Sequence, residues 1–192
     1  MSHAMRYVVL ILAAAAPAFG LVWGVGVGGG FGSPVGDFAE IVGASAVVDG
    51  RAMFCINPNL SLTAGVAYRL NHDPQEIEGV EGTSYDVIPV LVGANYRLEY
   101  LPLMPYFGGG AAVAACKCTV PASGATEERD AVRLGAFAEG GTEYYVGENF
   151  GVDVRGRFIA TFGGEKKILD EALVDADNYM AFDAVIGFFF YP

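Results

Sequence analysis

Beyond residue 20 the chain alternates. Leu60-Ser61-Leu62-Thr63-Ala64-Gly65-Val66-Ala67-Tyr68-Arg69-Leu70 sets large apolar residues at most even positions and small or polar ones at odd positions, the period of two expected when the two faces of a strand meet different surroundings. Phe150 to Phe158 repeats the pattern with Asp153, Arg155 and Arg157 on the odd face, and Met180 to Phe190 places Phe182, Ala184, Ile186, Phe188 and Phe190 opposite Asp183 and Gly187. Carried along the chain, the pattern predicts strands near 21–32, 43–56, 60–71, 85–99, 104–116, 131–146, 150–162 and 178–190. The connections alternate in length. Asn57-Pro58-Asn59, Tyr100-Leu101-Pro102-Leu103 and Gly147-Glu148-Asn149 suit tight antiparallel hairpins. Residues 33–42, 72–84, 117–130 and 163–177 read as long polar connections.

Short turns at one rim and long loops at the other, joined by strands of about ten residues, describe a transmembrane β-barrel that is apolar outside and polar inside. The expected fold is all-β: a single eight-stranded antiparallel up-and-down transmembrane barrel with short periplasmic turns and long extracellular loops. Where the charges fall sets the register. Of the seven arginines after residue 18, six share the inner face: Arg51, Arg69, Arg97, Arg133, Arg155 and Arg157. Asp49, Glu139, Glu143, Asp153 and Asp183 join them. A one-residue slip would turn those arginines to lipid, at about 2–4 kcal/mol each near the midplane. Inside, they can pair across the lumen, although a buried pair adds little net stability once desolvation is subtracted. This interior charge network is the candidate site. No catalytic, cofactor-binding or metal-binding residue and no cofactor is expected.

Composition narrows the reading. With 53% hydrophobic and 17% charged residues among 192, the chain is too apolar for disorder. Its mean hydropathy is +0.40, yet after residue 20 no uninterrupted apolar run of about 18 residues appears, so strands must carry the hydrophobicity. A net charge of −11 excludes nucleic acid as a partner, because phosphate binding needs clustered Lys and Arg. Arg6 is followed by an apolar run and by Ala16-Pro17-Ala18, which reads as a secretory signal over 1–18, with 1–4 an upstream start or a remnant. The barrel then spans 19–192.

Other chemistry is sparse. Gly24, Gly26, Gly28, Gly30 and Gly32 alternate on the inner face, and brush against a dinucleotide fingerprint that would need a following helix where Pro34 stands. Cys116 and Cys118 flank Lys117, with Cys55 distant. They read as a tight disulfide, as two metal ligands short of a full set, or as small residues at a strand end. Past the signal, His72 beside Asp73 is the sole histidine, without the serine arrangement that an activated nucleophile requires. Trp23, Phe54, Tyr96, Tyr100, Tyr106, Tyr144, Tyr145, Phe150, Phe188 and Phe190 gather near the short-turn rim as an interfacial girdle. Phe31, Tyr68, Phe158, Phe162, Tyr179 and Phe182 gather near the loop rim. Acids crowd the loops, among them Asp37, Glu76, Glu127, Asp130 and Asp170, where solvation or divalent cations would meet them. Residues 165–177 carry Ile168, Leu169, Ala172 and Leu173 at helical spacing.

Gly30-Phe31-Gly32-Ser33-Pro34-Val35-Gly36-Asp37-Phe38, Asn57-Pro58-Asn59-Leu60-Ser61-Leu62, Asp86-Val87-Ile88-Pro89-Val90, Pro105-Tyr106-Phe107-Gly108-Gly109-Gly110 and the aromatic last strand occur in this order. The chain thereby resembles the small eight-stranded outer-membrane barrels of the OmpA and OmpX type. The resemblance implies residence in the bacterial outer membrane among its lipids, and insertion by the barrel-assembly machinery, which reads a final strand ending in an aromatic residue. Phe188, Phe190 and Tyr191 fit that signal, and Pro192 departs from it. A barrel of eight strands is just wide enough for its own side chains. The expected role is therefore structural or surface-interacting rather than that of a wide pore, with an extracellular partner met through the loops and no enzymatic activity. The alternatives are a barrel enzyme acting on outer-membrane lipid and a soluble lipocalin-like ligand-binding barrel.

Overall fold

The computed structural model describes residues 22–36, 39, 43–70, 84–122, 125–162 and 179–192. Eight strands, β1 (Val22–Val35), β2 (Ser45–Asn57), β3 (Leu60–Leu70), β4 (Ser84–Arg97), β5 (Leu103–Ala122), β6 (Ala125–Tyr145), β7 (Phe150–Phe162) and β8 (Tyr179–Phe190), follow one another around a closed barrel. Every neighbouring pair is antiparallel, and β1 closes onto β8. Closure pairs the first strand with the last, so that neither β1 nor β8 faces hydrocarbon with a free sheet edge, where an unpaired backbone group is costly.

The register climbs as it goes round. From Val25 the paired positions run Ala52, Ala64, Val92, Ala111, Ala136, Ala160 and Met180, and return to β1 at Val35, ten residues further along. A stagger of that size over eight strands corresponds to a tilt of about 40° and a backbone radius of roughly 8 Å. Such a cylinder is filled by the side chains that point into it.

The strands lie where the alternation predicts them, with one substantial correction. The 117–130 segment is not a loop: β5 continues to Ala122 and β6 begins at Ala125, paired through Lys117↔Asp130 and Thr119↔Glu128. Beyond the bilayer neither face of a ribbon has to be apolar, so the alternation that marks a membrane strand disappears while the pairing continues. β1 also runs to Val35, into the stretch read as the first loop. The signal segment, His72 with Asp73, and the 165–177 segment lie outside the described residues.

Burial alternates along each strand. Val25, Val27, Phe31, Val48, Leu62, Val92, Phe107, Leu134, Val154, Phe158, Ile186 and Phe188 face outward and are exposed. Among the described side chains at outward strand positions, Asp86 near the loop end of β4 is the one charged residue. Trp23, Tyr96, Tyr100, Tyr144, Phe150, Phe188 and Phe190 form the outward aromatic belt near the short turns, with Phe150 and Phe188 stacked at 5.9 Å. Three tyrosines assigned to the rim girdles belong instead to the interior. Tyr106 and Tyr179 are buried, and Tyr145 packs against Phe189 and Tyr191. Each has the parity of the inward residues on its own strand, which outweighs the general preference of aromatics for membrane interfaces.

Candidate functional site: the filled lumen

Strand β7 supplies the spine. Asp153, Arg155 and Arg157 are spaced by two, so all three project inward and stack along the barrel. Facing strands meet them with charges of opposite sign. Arg51 reaches Glu143 and Asp153, each at 3.2 Å. Arg155 bridges Asp153 and Asp49, while Arg157 pairs with Asp49 at 3.2 Å and with Asp183 at 2.9 Å. Arg69 closes the upper end on Asp183 at 2.6 Å, and Arg97 joins the lower end to Glu143 at 3.5 Å.

The result is a continuous chain of alternating sign: Arg97, Glu143, Arg51, Asp153, Arg155, Asp49, Arg157, Asp183, Arg69. It draws on six strands and runs from the short-turn end of the lumen to its loop end. Of the remaining predicted positions, Glu139 is half-buried and accepts a hydrogen bond from Asn95 Nδ2 at 2.7 Å. Arg133 is buried on the inner face of β6 near the loops.

Strand β1 contributes space rather than charge. A Cβ built on Gly32 would stand 2.5 Å from Asp183 Oδ1, 2.9 Å from Val47 Cγ2 and 3.1 Å from Arg69 Nη1. Only glycine leaves that volume to the ion pair.

Polar aromatic residues complete the network, and these the sequence reading did not assign to it. Tyr106 donates its hydroxyl to Asp153 Oδ1 at 2.8 Å and accepts from Arg51 Nη1 at 3.2 Å. The Arg51, Arg69 and Arg97 guanidiniums lie 5.6, 5.2 and 5.4 Å from the ring centroids of Tyr106, Tyr179 and Tyr191, within cation–π range. Inward parity was the available signal for Tyr106 and Tyr179. Tyr191, one residue past β8, continues the odd parity of Asp183 and Phe189 and is likewise buried.

The short-turn end is closed by Met53, Phe189 and Tyr191, with Cys55 and Tyr145 against them. Phe189 meets Tyr191 edge-on at 5.4 Å, and the Arg97 guanidinium hydrogen-bonds the Tyr191 hydroxyl and the Cys55 sulfur. The β6–β7 turn holds this last residue in place: Asn149 O accepts from Tyr191 N at 2.8 Å, and Asn149 Nδ2 donates to Tyr191 O. On the β4–β7 side the inner wall is apolar, where Leu91, Ala112, Phe137 and Ile159 pack together.

A cylinder apolar on its outer surface and charged within, closed on itself and bearing an aromatic belt, is the arrangement of a bacterial outer-membrane barrel. The family of the outer membrane protein beta-barrel domain matches residues 7–187, and the chain belongs to it. It is an outer-membrane β-barrel of the small eight-stranded type and resides in the bacterial outer membrane. No curated protein matches it significantly in sequence. Among solved structures it is similar to neisserial surface protein A, at 17% identity and a TM-score of 0.58, covering 88% of this chain and 96% of that one. It is similar also to the outer membrane protein OprG from Pseudomonas aeruginosa, at 12% identity and a TM-score of 0.58, covering 90% and 97%. The attachment invasion locus protein Ail of Yersinia pestis shares 13% identity at a TM-score of 0.54, covering 88% and 97%. At these identities the likeness is one of fold. A soluble lipocalin-like barrel is set aside by the outward face, whose exposed side chains are aliphatic and aromatic.

Proposed function

We infer that the protein is a closed barrel with a structural and surface-interacting role: an anchor in the outer membrane that presents its loops outward, without a wide pore and without catalysis. The chain of ion pairs from Arg97 to Arg69 supports this reading, because its side chains fill the cross-section through which a solute would pass. Moving solute through would require parting buried charges from their partners, at several kcal/mol for each ion left unpaired. Outer-membrane lipids surround the apolar face, the barrel-assembly machinery inserts the chain, and an extracellular partner meets the loops.

The test is reconstitution. Proteoliposomes should not swell in sugar solutions, and planar bilayers should show no sustained open level. A stable conductance comparable to that of general porins would overturn the closed reading. Substitution of His72 should leave the lipid A profile of cells unchanged, whereas a lost modification would restore the enzyme alternative.

A further inference from the structure

The apolar band on the outer surface is not level. At a strand tilt of about 40°, one residue along a strand changes height by about 2.5 Å and one step along a row of partners by about 3 Å. Counted from Val92 through Ala111, Ala136, Ala160 and Met180 to Val35, this puts Asp86 on β4 and Val35 on β1 within about 2 Å of the same height. At that height β1 faces outward with a valine, and β4 with a half-buried carboxylate whose register partner on β5 is Lys117. On the β4–β5 side the band therefore stops lower at the loop rim, with Ile88 as its last outward apolar residue before Asp86.

It also stops lower at the opposite rim. Leu98 and Leu103 face outward, and between them the β4–β5 turn exposes Tyr100 and Leu101, the latter at 77%. Counted in the same way, Tyr100 lies about 5 Å below Trp23 and Phe190 of the aromatic belt. Glu99 has inward parity, so the outer side of the turn stays apolar. The turn is held in place by its backbone: Leu103 N donates to Tyr100 O at 2.8 Å, and Tyr145 N donates to Pro102 O at 3.0 Å. The β2–β3 and β6–β7 turns, by contrast, are the polar Asn57-Pro58-Asn59 and Gly147-Glu148-Asn149.

We propose that the β4–β5 turn is a foot in the lipid: Tyr100 and Leu101 enter the headgroup–acyl boundary of the periplasmic leaflet, and the barrel leans so that β4 and β5 ride higher in the bilayer than β8 and β1. Both rims require the same lean. Raising this side brings the apolar turn up toward the belt, and it lifts Asp86 clear of hydrocarbon, where a charge on the lipid face is costly. The turn continues the lipid-facing surface of Val92, Tyr96 and Phe107 without a polar break, so its occupant is lipid and not a soluble partner. The inference rests on the membrane reading and does not depend on a closed lumen.

Nuclear magnetic resonance of the whole protein in phosphatidylcholine nanodiscs tests this, with a spin label on the lipid acyl chain and a gadolinium chelate in the water. Two pairs of amides are compared, Val35 with Asp86 and Asn57 with Leu101, each pair being about level along the barrel axis. The acyl-chain label should broaden Val35 at least about threefold more than Asp86, and the chelate should broaden Asn57 at least about threefold more than Leu101, since a lean moves each pair apart in depth by several ångströms. Tyr100→Ser combined with Leu101→Ser should move both ratios toward unity, and unchanged ratios would remove the turn as the cause. Ratios near unity in the wild-type protein mean an upright barrel, which overturns the proposal and leaves the outer-membrane reading in place. Absence of any broadening of Val35 by the acyl-chain label overturns both. A Leu101 amide as open to the chelate as that of Asn57 overturns the foot and marks the turn as free for a soluble partner. The wild-type comparison decides the matter even if the variant does not fold.

Discussion

Arg69 and Asp183 meet at 2.6 Å across the lumen, 114 residues apart in sequence, with neither side chain exposed to solvent. Asp183 is also the partner of Arg157, so one carboxylate holds two guanidiniums. Asp183→Asn should lower stability by about 3–5 kcal/mol, because removing one member of a buried group strands the others. Urea titration of protein folded into vesicles measures this. Arg69→Met combined with Asp183→Leu should recover part of the loss, since Arg157 keeps Asp49.

Gly32→Ala acts on the same pair through space. Its new methyl would crowd Asp183 Oδ1 and Arg69 Nη1, and overpacking of this kind costs about 1–3 kcal/mol. Gly147→Ala is the control, since a Cβ there meets nothing within 4 Å. Its unfolding midpoint should match that of the wild type.

The end of the chain is a structural element. Tyr191→Phe keeps the ring against Phe189 and Tyr145 but removes the hydroxyl bound to Arg97 and Met53. The expected loss is about 1–3 kcal/mol, the cost of leaving buried partners unsatisfied. Tyr191→Leu should lose more. The gel-shift temperature of unboiled samples ranks the three proteins.

The outer surface should respond to depth. Ile186 is exposed and faces outward near mid-height, so Ile186→Arg should cost about 2–4 kcal/mol. Val132, at the loop end of β6, should accept arginine at about 0–1 kcal/mol. Equal penalties in vesicle refolding would mean that the apolar band lies elsewhere.

The strand order was legible because a membrane enforces alternation more strictly than water does. On β7 that alternation alone places Arg155 and Arg157 on the inner wall and Val154 and Phe158 on the outer. What could not be read was which arginine meets which acid, since partners such as Arg51 and Glu143 depend on the stagger and not on sequence spacing. The β5–β6 extension was missed because charged pairs outside the bilayer carry no apolar signature. Tyr106 and Tyr145 were misplaced because residue type was given more weight than parity.

The ten-residue climb limits how the length of this chain can change over evolution. One residue added inside any strand would swap lipid-facing and lumen-facing positions from that point to the strand's end. Because the wall is wound as a single closed spiral, no neighbour could absorb the error by sliding, and only a local bulge, such as the one at Ile56 between Cys55↔Ser61 and Asn57↔Leu60, could take it up. Insertions should therefore be tolerated best in twos within the strands, or in any number beyond the loop rim, where among the described residues the β5–β6 ribbon already extends past its neighbours.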